Sequence, residues 1–331
     1  MARRCVLGID IGATKTLFGL FDERLQILDE IKIKTEVGNG RKAFLKSLGA
    51  AVGTLREKGI KSGYKIAGTG VGVAGSVSVS GAEIVASPNI PFLPQCGLRR
   101  HLSKLTGAKA TFGNDCQLAL FAEFHAGAAV GATNVIGVFL GSGVGGALII
   151  DGNLHLGAGG CAGDLGHYLV DPLAPLSGSG RRGFLDEFSS RTALSSEAAR
   201  LAAKQWAPYL FENVGTDVCE IRSRQLAEAI VHGDKCIEDL VRSRMRTVGI
   251  VLSNFVDFIN PDLVLLGGGL VEAMPKLVRQ EVRRAIKDHA TPEAGRAAHV
   301  VVSKLKRHTV TTGAAKLALD RLVRKPRLKG K

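Results

Sequence analysis

Three glycine-rich turns in this 331-residue chain each follow an apolar run: "DIGATKT" at 10–16, "LGSGVGG" at 140–146 and "LGGGL" at 266–270. Glycine lets backbone N–H groups approach phosphate oxygens with no Cβ in the way. One such turn alone is as readily structural. Three, two of them related by repetition, have the makings of a clamp on a nucleotide. The candidate phosphate contacts are Gly12, Thr14, Thr16, Gly141, Ser142, Gly143, Gly267 and Gly268, and Lys15 either offsets phosphate charge or is simply solvated. The first turn is not a G-x-x-x-x-G-K-[ST] loop, and no G-x-G-x-x-G opens a helix. Acids stand close by. Asp10 ends the run before the first turn, and Asp115 follows Gly113 and Asn114 at the start of a helix. A carboxylate at Asp115 can take a proton from a hydroxyl nucleophile or merely cap its helix; the residue types leave both open. A third group spans 164–187, where Asp164 and His167 precede a Gly/Ser/Arg turn that ends in Asp186 and Glu187.

These residues need elements to position them. "VLGIDIGATKTLFGLFD" reads as strand, tight turn, strand, and "LQILDEIKIKT" as a third strand. A helix is predicted over 41–58, a buried strand over "KIAGTGVGVAG", a helix over 97–106 and a short strand over "AKATFG". From residue 114 an amphipathic helix begins. Residues 135–151 then align with 6–22 without a gap, with identities at Val6/Val135, Gly8/Gly137, Gly12/Gly141 and Asp22/Asp151. This is an internal duplication of two α/β halves, each opening with a β-hairpin. Helices are predicted at 192–204, 222–231, 234–259 and 271–289, strands at "PDLVLLGGGL" and "AHVVVSKL", and a last helix at "TTGAAKLALDRLV".

Length suggests two domains. With 45% apolar residues but only 13 Phe, 3 Tyr and 1 Trp, the cores must be built from aliphatic side chains. No run approaches the ~20 apolar residues that span a bilayer, and Asp10 and the glycines interrupt any signal-like start; a cytoplasmic protein without a membrane partner is expected. The six cysteines never stand at C-x-x-C spacing, which argues against disulfides or a cysteine metal site. Of the net charge of +14, the tail 321–331 supplies six. No binding motif accompanies that charge, so a solvated tail and a general attraction for anions are expected, not a nucleic-acid partner.

"LGIDIGATKT", "GVGVAGSVS…SPN", "GNDCQLALFAE", "GSGVGGALIIDG", "GDLGH" and "VLLGGG" occur in the order found in the ROK family (repressors, open reading frames and sugar kinases), and the chain resembles that family over roughly 5–320. The resemblance implies the actin/hexokinase-like ATPase fold: two ribonuclease-H-like α/β domains with ATP and sugar in an interdomain cleft. The expected division is a small N-terminal domain of 1–113 plus 314–331 and a large C-terminal domain of 114–313. It implies Asp115 as the base that deprotonates a sugar hydroxyl. Gly75, Asn89, Asn114, Asp164, His167 and Asp186 stand at sugar-side positions. Asp10 would repel phosphate unless a cation intervened, so it is assigned to Mg²⁺ carried with ATP. A homodimer is also implied. Glucose phosphorylated at O6 is the default substrate.

In zinc-containing members a Glu-x-x-His pair precedes C-x-C-G-x-x-G-C-L-E, and the His and three Cys bind a structural zinc. Here "DLGH" and "SGSGRRGFLD" fall in register. Ser177, Ser179 and Phe184 replace the thiolates, and Asp164 and Asp186 replace the two glutamates. Serine is a poor zinc ligand and Phe is none, so zinc is not expected. Phe184 is expected to bury its ring in place of the metal, with Arg181 or Arg182 bridging to an acid or solvated. Each Glu-to-Asp change shortens the reach by about 1.5 Å, so the loop moves inward or the sugar is an N-acetylhexosamine or mannose. The competing reading is a non-catalytic sugar-sensing regulator; the family's repressors add an N-terminal DNA-binding domain, and no helix-turn-helix is read before residue 5.

Overall fold

The aliphatic runs at the start of the chain form β1 (Arg3–Ile11) and β2 (Lys15–Asp22), an antiparallel hairpin extended by β3 (Ile27–Lys34). The computed structural model describes residues 2–174, 176 and 180–323. After β3 come α1 (Gly40–Lys61), β4 (Tyr64–Val73), the short pair β5 (Ser76–Val77) and β6 (Ile84–Ala86), α2 (Leu98–Thr106), β7 (Ala110–Asn114) and α3 (Asp115–Ala126). The sheet order is β3-β2-β1-β4-β7, with β4 and β7 parallel to β1. Central β1 is buried on both faces, which is why it reads as a continuous apolar run rather than an alternating one. Edge strand β3 carries Asp29, Glu30, Lys32 and Lys34, which discourage pairing with another chain. One face of the sheet buries Leu7, Ile9, Phe18 and Leu20 against Phe44, Leu48 and Leu55 of α1.

The pattern then repeats. β8 (Val135–Leu140) and β9 (Val144–Ile150) form the second hairpin, and β10 (Asn153–His155) extends it. Helices α4 (Leu185–Ser189), α5 (Arg191–Ala203), α6 (Pro208–Asn213), α7 (Ser223–Val231) and α8 (Lys235–Ile259) follow. β11 (Leu263–Gly267), α9 (Gly269–Ala273), α10 (Pro275–His289), α11 (Pro292–Ala297) and β12 (His299–Val302) complete the second sheet, ordered β10-β9-β8-β11-β12. The two sheets share one strand order, so the duplication is one of topology. The gapless alignment of the hairpins does not hold in register, however. Residues 12–15 separate the last paired positions Ile11 and Thr16, whereas only 141–143 separate Leu140 and Val144. The second turn is one residue tighter.

Helix 271–289 proves to be two helices. Met274, caught before Pro275, has φ −136° and ψ 54°, because a residue preceding proline is pushed out of the helical region. The short helices α4, α6 and α11 were not predicted; each is too short to show a helical period. Glu281 of α10 is buried but paired with Arg242 (2.7 Å) and Arg246 (3.2 Å) of α8, which makes its charge tolerable.

The last helix, α12 (Thr309–Val323), belongs to the first unit, where Ala315 and Ala318 cover Val6 and Phe21. Gly8 and Gly70 explain how closely it lies on the sheet: a Cβ at either would run into the carbonyl oxygens of Thr311 or Ala314. The chain divides into Met1–Val130 with Leu154–Ala162 and Arg307–Lys331, and Gly131–Asn153 with Gly163–Lys306. The first boundary therefore falls at 130 rather than 113, because α3 packs on α12 and stays with the sheet that launches it. Among the described residues no helix is long and apolar enough to cross a membrane. Residues 324–331 of the basic tail lie outside the described residues.

Candidate active site

The first glycine turn is closed by Gly12 N donating to Lys15 O at 3.0 Å. Thr35 of the segment after β3 braces it, donating from Oγ1 to Gly12 O at 2.6 Å. Thr14 and Lys15 are exposed. Thr16 is not: its hydroxyl is buried, 3.0 Å from that of Thr35. Strand alternation turns residue 16 inward, so Thr16 fastens the turn from beneath instead of offering its hydroxyl to a phosphate. Thr35 was missed in the sequence because its partner lies 23 residues away.

Parallel register sets the acids. Asp10 pairs with Gly72 on β4, Gly72 with Gly113 on β7, and Asn114 ends β7. Asp10, Asn114 and Asp115 thus lie at the carboxyl ends of β1 and β7, the strands on either side of β4, the edge at which open α/β sheets bind ligands. Burial raises the pKa of Asp10 from an ordinary 3.8 to about 7, with Asp115 adding to the rise and Lys15 opposing it. Burial also raises Asp115, against the pull of hydrogen bonds from its own surroundings. The capping role weighed for Asp115 is filled by its neighbour. Asn114 is the N-cap of α3, accepting at Oδ1 from Gln117 N at 3.0 Å. The Asn114 Nδ2 donates to Gly75 O at 3.1 Å. The same amide hydrogen-bonds the Asp115 carboxyl, which leaves one lone pair of the amide oxygen for a ligand. The Asp115 Oδ1 accepts from the adjacent Cys116 N at 2.9 Å.

Gly75 and the 86–89 segment are joined to the same edge. Ser76 pairs with Ala86, and the buried Ser87 donates to Ala74 O at 3.1 Å. A side chain at Gly75 would strike the Ala86 carbonyl. Asn89 sits exposed on the turn that follows. Gln117, also missed, is buried and donates to Gly160 O at 2.9 Å.

In the second unit, Gly141 N donates to Gly143 O at 2.8 Å, closing the tighter turn. Gly268, at φ 91°, brings the third turn against the second: a Cβ there would lie 2.5 Å from Leu140 O. Gly267 is likewise pressed on the Phe139 ring. Two of the three predicted phosphate turns are therefore neighbours. The α4–α5 corner grips the second turn. Asp186 Oδ1 accepts from Val144 N at 2.5 Å and lies 2.9 Å from where a Gly143 Cβ would be. Arg191 donates from N to Gly141 O (2.9 Å) and from Nη2 to Ser142 Oγ (3.0 Å). Thr192 donates from Oγ1 to Ser142 O at 2.7 Å. Asp186, placed on the sugar side from the sequence, spends one carboxylate oxygen holding the phosphate turn. Arg191 and Thr192 were missed as site residues. "SSRTAL" carries a helix-start signal, Ser190 capping Ala193 N, but nothing in it points to residue 142.

Asp164 and His167 pair with each other, Oδ2 to Nδ1 at 2.8 Å, on a surface that leaves the imidazole 60% exposed. Among the described residues the Nε2 atom makes no hydrogen bond. The loop beyond His167 is held by backbone bonds: Leu185 N to Tyr168 O (2.8 Å) and Val170 N to Gly183 O (2.7 Å). Phe184 is half-buried between them, with the Arg181 guanidinium 4.6 Å above its ring and the His167 ring 6.1 Å away. Arg181 therefore stacks on an aromatic face, a cation–π contact, and among the described residues makes no ion pair with an acid. Ser177 and Ser179 lie outside the described residues. Among the described residues no three His, Cys, Asp or Glu gather as a metal-binding group.

The ROK family model matches residues 6–321. A glucokinase of Thermotoga maritima is 26% identical over 97% of this chain and 99% of its own length. An N-acetylgalactosamine kinase of Shewanella is 29% identical over 80% of this chain and 82% of its own. A ROK family glucokinase from Streptomyces griseus, solved in complex with glucose and AMPPNP, superposes with a TM-score of 0.79 at 28% identity, covering 96% of this chain and 99% of that one. The repeated sheet order and the turns just described agree with the actin/hexokinase-like ATPase fold of those kinases. By the extent of that match, this chain belongs to the ROK family.

Proposed function

We propose that this chain is an ATP-dependent sugar kinase that phosphorylates a hexose hydroxyl. The observation that carries the reading is the placement of Asp10 and Asp115 at the carboxyl edge of the first sheet, with both carboxyl groups raised in pKa by burial. A base works best when its pKa lies near the operating pH. Asp115 takes the proton from the attacking sugar hydroxyl, and Asn114 orients that hydroxyl through the remaining lone pair of its amide oxygen and holds the Asp115 carboxyl beside it. Asp10 fits one carboxylate ligand of a magnesium ion held otherwise by nucleotide phosphates. That ion supplies charge neutralisation of the triphosphate. Phosphoryl transfer otherwise depends on positioning and charge stabilisation, which the turns at 141–143 and 267–268 and Lys15 provide. Asn89, Asp164, His167 and the second carboxylate oxygen of Asp186 are assigned to sugar hydroxyls. Glucose at O6 is the first acceptor to test. N-acetylhexosamines come next, because the Shewanella relative is an N-acetylgalactosamine kinase.

A coupled ADP-release assay over glucose, mannose and three N-acetylhexosamines tests this. One sugar should be turned over, and Asp115→Asn should lower kcat by about 10²–10⁴-fold or more in a protein that melts no earlier than the parent. If no sugar is phosphorylated, or Asp115→Asn retains the parent rate, the reading fails.

A further inference from the structure

We infer that Arg191 is a nucleotide-binding residue of the second glycine turn and supplies the charge that the turn's own backbone lacks. This inference rests on the kinase reading above. The three residues of this turn and the first of β9, 141–144, would ordinarily present four N–H donors to a phosphate. Here that supply is reduced. Gly141 N is spent on Gly143 O, and Val144 N on the Asp186 carboxylate. Among the described residues, only the N–H groups of Ser142 and Gly143 at this turn have no protein acceptor. The Asp186 carboxylate, 2.9 Å from the site of a Gly143 Cβ, also adds a negative charge beside them. An anion would meet a turn with half its donors gone and an acid at its back.

Arg191 offsets both deficits. Its main chain is bonded to Gly141 O and its guanidinium to Ser142 Oγ, so the cation is anchored on the turn at two points. Thr192 adds a third bond, from Oγ1 to Ser142 O. No carboxylate among the described residues pairs with Arg191. One of its five N–H donors is occupied by the serine hydroxyl, which leaves a planar fork for phosphate oxygens. Ser142 and Gly143 are exposed and Arg191 is partly so, and the turn is therefore accessible. The ligand class is a nucleoside di- or triphosphate, recognised through its phosphates and not its base. Toward the nucleotide, Asp186 and Ser142 act through the turn and the arginine, and there they are positioning residues.

The test compares the full chain with Arg191→Ala, Arg191→Lys and Ser142→Ala. Affinities for ATP, ADP and adenosine are measured by calorimetry, and KM for ATP and for sugar by the ADP-release assay. Arg191→Ala should weaken ATP and ADP binding by about tenfold or more, the loss of one charge-assisted hydrogen bond. Adenosine binding and KM for the sugar should hold within about twofold. Arg191→Lys should recover part of the ATP affinity, as a point charge without the fork. Ser142→Ala should have the smaller effect, since it frees the guanidinium without removing it. The inference is overturned if the parent phosphorylates a sugar while Arg191→Ala keeps its ATP affinity. It is equally overturned if Arg191→Lys matches Arg191→Ala and Ser142→Ala is as impaired, since the arginine then only braces the turn. A parent that binds no nucleotide sinks the kinase reading itself, a separate outcome.

Discussion

Replacing Asp10 by Asn should stabilise the ligand-free protein strongly at alkaline pH and little in acid. The carboxyl of Asp10 is raised from 3.8 to about 7, first by burial and then by the charge of Asp115, with Lys15 pulling the other way. The folded protein therefore holds this proton more tightly than the unfolded chain. The stability it contributes is complete below pH 3.8 and is lost as pH rises through 7. At 1.36 kcal/mol per pH unit, the ionised carboxylate destabilises the fold by about 4 kcal/mol above that range, but by only about 1 kcal/mol near pH 4.5. Asn removes the titration and keeps the shape. Its advantage should grow by about 3 kcal/mol between about pH 4.5 and about pH 8.5. For a unit of this size, that is roughly 6–12 °C in melting midpoint. Scanning calorimetry of both proteins in chelator, without nucleotide, measures it. A melting difference that stays constant with pH, or an Asn variant less stable in alkali, would refute the account of a buried, charge-opposed carboxyl. The loss of activity expected in the same variant would then be a trade of function against stability.

Two further perturbations probe the second unit. Asp186→Ala leaves the Val144 N–H without its acceptor and should lower unfolding free energy by about 1–3 kcal/mol while raising KM for ATP; Asp186→Asn keeps an acceptor oxygen and should lose little stability, as read by urea midpoints. Gly268→Ala forces a side chain into φ 91° against the Leu140 carbonyl, and should destabilise by about 1–3 kcal/mol, with the ATP KM rising more than the sugar KM because the third turn is displaced.

Much of this was legible from residue order. The two hairpins, their glycine turns and the apolar strands between them follow from local periodicity and turn chemistry, which depend on neighbours a few residues apart. The N-cap-like Asn-Asp that follows a short strand in the sequence puts Asn114 and Asp115 where β7 gives way to α3. Where local and tertiary demands differed, the local reading went astray. Thr16 follows three candidate contacts on one turn, yet strand alternation and the distant Thr35 take its hydroxyl inward. Pro275 splits a periodic helix because its ring acts on the residue before it.

What the sequence by itself determined is therefore the duplicated α/β plan, the glycine turns and the acids that end their strands. Only the tertiary structure decided which groups those acids and turns meet. Asp186 reaches Val144 across 42 residues, and Arg191 reaches Ser142 across 49. Those partners are set by how α4 and α5 dock on the second hairpin. A side chain's direction at such a junction depends on the packing of whole elements, and no spacing within a single segment encodes it.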